Sequence, residues 1–249
     1  MTKNIILGAV AALVLSPTSV LAADLPVKAP VPVVIYDWTG FYIGVSGGGS
    51  LGGSNHVDPT GTNLTADGFN VKGGLVGGTV GYNWQMSSLV VGFEGDASWV
   101  GEYGSHNDNN NIATGGASLV ADPTVQSFTK ETWLATARVR VGYAVNNLLF
   151  YGTGGYAGAG VQAGIKDANT NTLLASATST RNGWTAGGGL EWGFAPNWSA
   201  KFEMLYMQLN STTFNTVQGE GPRSVPLNDT MARVGINYRF GGGSVVAKY

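Results

Sequence analysis

Between residues 40 and 240 one pattern recurs: a segment alternating apolar and polar residues, a connection of two or three residues, a second such segment, then a long polar stretch. The clearest instance is 133–145. There Trp133, Ala135, Ala137, Val139, Val141, Tyr143 and Val145 share one parity, and Thr132, Leu134, Thr136, Arg138, Arg140 and Gly142 share the other. A period of two is the period of a β-strand, because successive side chains leave opposite faces of the pleat. The end of the chain repeats it, with Ala232, Val234, Ile236, Tyr238 and Phe240 set against Arg233, Gly235, Asn237 and Arg239. In a soluble sandwich the apolar face of such a strand is the core and its arginines meet water. In a transmembrane barrel the apolar face meets lipid and the arginines line the lumen. Alternation alone fits both.

Composition separates them. Only 11% of residues are charged, against about 25% in ordinary soluble domains. An exterior of hydrocarbon needs no charge, whereas an exterior in water does. Glycine supplies 39 of the 249 residues, twice the usual share of about 7%, which suits a small, sharply curved barrel with a crowded interior. At the N-terminus Lys3 precedes an apolar run from Ile5 to Leu15, and Val20-Leu21-Ala22 offers small residues for cleavage before Ala23. Residues 1–22 are therefore expected to be a secretory signal peptide; the run falls short of the roughly 20 apolar residues of a spanning helix. No later segment approaches that length either, so a membrane protein of this sequence must cross as a closed barrel. There is no cysteine, which excludes disulfides, thiolate metal sites and a lipidated N-terminal cysteine.

The reading is all-β: a single eight-stranded antiparallel up-and-down transmembrane β-barrel with short periplasmic turns and four long external loops. Pro26, Pro30 and Pro32 mark residues 23–39 as an extended periplasmic linker. The barrel occupies 40–240 and a tail 241–249 follows. Strands are expected near 40–51, 73–85, 89–103, 130–145, 148–162, 182–194, 198–210 and 229–240, with long connections over 52–72, 104–129, 163–181 and 211–228. Strict alternation of short and long connections is how transmembrane barrels are built.

Parity also sorts the charges. With each apolar face assigned to lipid, Glu94, Asp96, Arg138, Arg140, Glu191, Lys201, Glu203, Arg233 and Arg239 point inward. Buried charges persist only when paired, so these residues should form a network of ion pairs filling a lumen just wide enough for side chains. Trp38, Phe41, Trp84, Trp99, Trp133, Trp184, Trp192 and Trp198 fall at strand ends, as expected of two interfacial girdles.

Several of these pieces carry a family resemblance. The chain resembles the small, porin-like, OmpA-type outer-membrane β-barrel proteins of alphaproteobacteria in Ala23-Asp24-Leu25-Pro26, in the run from Tyr36 to Gly44, in the Trp133–Tyr143 strand with its two arginines, in Gly183–Tyr206 with its Ala-Pro-Asn-Trp turn, and in Arg233–Phe240. The long loops fall outside it. The resemblance implies location in the outer membrane of a Gram-negative bacterium and a structural envelope role, sometimes joined by small-solute permeability or surface binding. It implies that Tyr238 and Phe240 are read by the outer-membrane assembly machinery. It also implies a tether from the Ala23 α-amine to peptidoglycan, with Asp24 as a nearby determinant. The expected surroundings are outer-membrane lipid and lipopolysaccharide, with no nucleic acid.

The residues offer little chemistry. His56 and His106 are the only histidines, both expected in loops, and neither has a serine at strand spacing for a nucleophile and base. Gly47, Gly49 and Gly52 match dinucleotide-loop spacing without the βαβ unit that gives it meaning. No catalytic residue, cofactor or metal is expected, and the chain is not expected to be an enzyme. Three functions stay open: a structural barrel, a narrow or gated channel, and a surface receptor or adhesin acting through the loops. The linker favours the first, and loops poor in aromatic and arginine residues disfavour the last.

Overall fold

Each alternating segment forms a strand. The computed structural model describes residues 34–56, 66–107, 112–114, 118–120, 125–214, 223–241 and 245–246. Within them the fold is carried by β1 (Gly40–His56), β2 (Ala66–Met86), β3 (Leu89–Asn107), β4 (Val125–Val145), β5 (Leu148–Asp167), β6 (Leu173–Ala195), β7 (Trp198–Phe214) and β8 (Arg223–Phe240). Sequential strands pair antiparallel, and β8 pairs with β1 from Phe240 opposite Phe41 to Leu227 opposite Ser54, which closes the ring. Closure leaves no strand edge to be satisfied by lipid. Residues 1–22, Ala23 and Asp24 lie outside the described residues.

One end of the barrel carries two-residue connections, 87–88, 146–147 and 196–197. Asn146, at φ 54°, takes the left-handed conformation that asparagine tolerates. The other end carries connections over 57–65, 108–124, 168–172 and 215–222, the second containing a small paired ribbon, Ile112–Thr114 with Ser118–Val120. The third differs from expectation: most of 163–181 is strand, and only five residues, 168–172, connect β5 to β6. The strands, 17 to 23 residues long, exceed the roughly 9–11 that cross hydrocarbon, and they continue beyond it at the loop end. Out there no face must be apolar, so the alternation that marks a strand in sequence fades.

The exterior is apolar and the interior is mixed. Val139 is 44% exposed beside Arg140 at 1%, a contrast that a water-soluble protein would reverse. Exposed aromatics form two belts: Phe41, Trp84, Tyr143, Trp192, Trp198 and Phe240 near the turn end, and Trp99, Trp133, Tyr156, Trp184 and Tyr206 toward the loop end. Trp38 does not join them. It is 2% exposed inside the turn end, its ring 4.6 Å from that of Tyr36. Its backbone N–H donates to Gln85 Oε1 at 2.7 Å.

The end of the expected linker over 23–39 is therefore packed against the barrel. Tyr36 and Trp38 pack with Val90, Ala144, Leu149 and Tyr151 as a floor under the lumen, and Arg239 lies over the Tyr36 ring at 4.4 Å. Val34 and Ile35 pair antiparallel with Val246 and Val245 of the expected tail. An apolar segment beside an open barrel mouth gains more by covering it than by remaining in water.

Candidate functional site

Above this floor, eight charged side chains meet because parity and register agree. Glu94 and Asp96 on β3, Arg138 and Arg140 on β4, Glu191 on β6, Lys201 and Glu203 on β7, and Arg233 on β8 all point inward. Register then sets acids opposite bases: Glu94 faces Arg138, Glu191 faces Lys201, and Glu203 faces Arg233. The paired side chains are 0–4% exposed.

Arg138 is the hub, bonding Asp96 Oδ2 at 2.8 Å, Glu203 Oε1 at 3.0 Å and the Glu94 carboxylate. Arg233 reaches Asp96 Oδ1 at 2.8 Å and Glu203 Oε2 at 2.7 Å. Arg140 bonds Glu191 Oε2 at 2.7 Å, and Lys201 bonds Glu94 Oε2 at 3.0 Å. Neutral donors add to the carboxylates: Tyr42 on Glu94, Tyr151 on Glu203 and Thr136 on Asp96 share oxygens already held by cations, while Ser199 and Asn237 take the remaining oxygen of Glu191. Four cations and four anions balance, and this pairing is what makes their burial tolerable.

Arg239, expected in the same network, stands apart. Its Nη2 donates to the Pro196 carbonyl at 2.9 Å, and its guanidinium covers Tyr36. It sits at the turn end of β8, too far along the strand to reach the mid-lumen acids. Phe240 is exposed on the outer wall against Tyr238 and Phe41, with ring centroids 5.0 and 5.6 Å away.

Toward the loop end the lumen turns apolar. Leu75, Val100, Leu134, Leu205, Met207 and Met231 belong to one buried cluster. A second polar group, absent from the sequence reading, lies nearby: Glu102 of β3, Glu131 of β4 and Asp229 of β8, all buried, with ligand oxygens within 4.8 Å of one another. They lie beyond the outer aromatic belt, where outward neighbours are Lys72, Lys130, Gln208 and Asn228. Glu102 and Asp229 extend the inward parities of β3 and β8, which was the signal that could have found them. Glu131 carried no such signal. Parity from Trp133 onward points it at lipid, but a register shift between Glu131 and Trp133 against β5 turns it inward.

Neither histidine builds a site among the described residues. His106 sits partly exposed near the loop end of β3 with Ser127 opposite, and its Nε2 has no hydrogen-bond partner. The His56 side chain lies outside the described residues.

Comparison with known proteins accords with this geometry. The family described as outer membrane protein beta-barrel domain matches residues 9–240. The 31 kDa outer-membrane immunogenic protein of Brucella melitensis is 34% identical, over 96% of this chain and all of the relative. The 22 kDa outer membrane protein of Rhizobium leguminosarum is 27% identical over 81% of this chain and 78% of its own. These names give a location and antigenicity rather than a reaction. Among solved structures, the outer membrane protein OprG of Pseudomonas aeruginosa superposes with a TM-score of 0.50 at 12% identity, over 83% of this chain and 99% of that one, a likeness of fold. With an antiparallel ring of eight strands, an apolar exterior and a family match through most of its length, the chain belongs to the outer-membrane β-barrel family and resides in the outer membrane of a Gram-negative bacterium.

Proposed function

We propose that the protein is a structural barrel of the outer membrane, contributing to envelope integrity with its lumen closed. The observation that carries this reading is the charge-balanced network from Glu94 to Arg233, whose paired side chains are at most 4% exposed. A conducting lumen needs continuous water, and here each mid-lumen carboxylate is held by a cation as well as by hydroxyl or amide donors. The Tyr36–Trp38 floor covers one side of the network and the apolar cluster covers the other.

In barrels of this kind the short turns face the periplasm and the longer connections face outward. The floor then lies at the periplasmic mouth. The proposed surroundings are outer-membrane lipid and lipopolysaccharide. Tyr238 and Phe240, on the last strand, are proposed as the segment read by the assembly machinery, and the Ala23 amine with Asp24 as the attachment to peptidoglycan.

Deletion of the gene from its native host tests this reading. Cells without the protein should leak a periplasmic marker and become sensitive to detergent, and the parent sequence should restore both. An intact envelope combined with slower uptake of a small solute would instead establish a channel.

A further inference from the structure

Glu102, Glu131 and Asp229 reach one point in the lumen from three different strands. Clustering alone would fit acids that merely share protons, and Glu102 and Asp229 can do so. Glu131 is the independent observation. It is 0% exposed, it points into the cluster, and neither of its carboxylate oxygens meets a hydrogen-bond donor among the described residues.

The neighbouring donors are engaged in part, with the Arg181 Nε left without a partner among the described residues. Arg181 Nη1 donates to the Val225 carbonyl at 2.5 Å. The Ser50 hydroxyl serves Glu102, and Ser54 bonds Thr129 at 3.0 Å. Buried charges in proteins are paired or bound to metal; among the described residues Arg181 is the cation that acts on Glu131, and no hydrogen bond joins the two.

Metal binding displaces ligand protons; with all three carboxylates ionised, they outweigh the single Arg181 charge by two, which one divalent cation cancels. The donors are all oxygen, without histidine or cysteine, which suits a hard cation. Apolar walls and flexible carboxylates favour calcium over magnesium, which keeps several waters and demands a near-ideal octahedron.

We propose that Glu102, Glu131 and Asp229, with the Ser50 hydroxyl, form a calcium site that fastens β3, β4 and β8 together just inside the outer mouth. Extracellular calcium modules bind in the range of about 10⁻⁴–10⁻³ M, and that is the concentration range to probe.

The test uses the full mature barrel refolded in detergent, once with chelator and once with terbium, so that a closed mouth cannot hide the site. Excitation of tryptophan should give saturable terbium emission, since Trp99 and Trp133 lie on the same two strands as Glu102 and Glu131, and calcium should displace it. Calcium should also raise the urea midpoint of the parent. Asp229→Asn and Glu131→Gln should weaken calcium binding by no less than the roughly 10–100-fold that losing even an outer-shell partner costs. Asp167→Asn, at the end of β5 beside the 168–172 turn, should leave calcium binding unchanged. If Glu131→Gln fails to refold, Asp229→Asn and the parent's own calcium-dependent midpoint still decide. A parent without saturable, calcium-displaceable emission, variants that bind as tightly as the parent, or equal displacement by magnesium would each overturn the assignment.

Discussion

At the scale of single residues, what a side chain costs depends on which side of the wall it leaves. Val139 faces outward and Arg140, the next residue, faces the lumen. Val139→Arg places a charge in hydrocarbon and should destabilise the barrel by about 2–4 kcal/mol near the midplane, read as a lower urea midpoint after refolding into lipid vesicles. Inside, the same loss has another cause. Glu203→Gln leaves Arg138 and Arg233 each short of a carboxylate, and breaking a buried pair costs about 3–5 kcal/mol. Replacing Arg138 by Met in the same chain restores charge balance, three cations against three anions, and should recover part of the loss. A double variant no more stable than Glu203→Gln alone would show that these residues do not act as a pair.

At the scale of elements, the floor makes a separate prediction. Trp38→Ala empties a site 2% exposed, and such truncations cost about 3–5 kcal/mol; protease cleavage at the turn end should rise while the strands stay protected. Phe240→Ala should act differently, slowing insertion in pulse-chase folding assays more than it lowers the stability of the finished barrel, because Phe240 lies exposed on the outer wall. How much could be read from sequence follows the same division. Strands crossing lipid were legible because both faces are constrained, and eight of the nine expected lumenal charges meet at mid-barrel for that reason. Beyond the outer belt that constraint lapses, so most of 163–181 read as loop although it is strand. Glu131 was invisible because the register shift before Trp133 breaks parity where it was being extrapolated. Trp38 read as an interfacial aromatic because a tryptophan at a strand end gives the same pattern whether it faces lipid or caps the lumen.

At the scale of the whole molecule, the barrel joins a wall fixed by parity to an interior that holds three unlike layers. They are the Tyr36–Trp38 floor, the neutral ion-pair network and the loop-end apolar cluster. Opening a path means breaking the middle layer, since its residues span the lumen from β3 and β4 to β7 and β8. The direct measurement is single-channel conductance of the refolded mature protein in a planar bilayer, with the parent compared against Glu203→Gln. The parent should show no stable openings, while the variant, its network short of one carboxylate, should flicker. Long-lived, nanosiemens-scale openings from the unmodified parent would contradict a closed lumen and make the protein a channel.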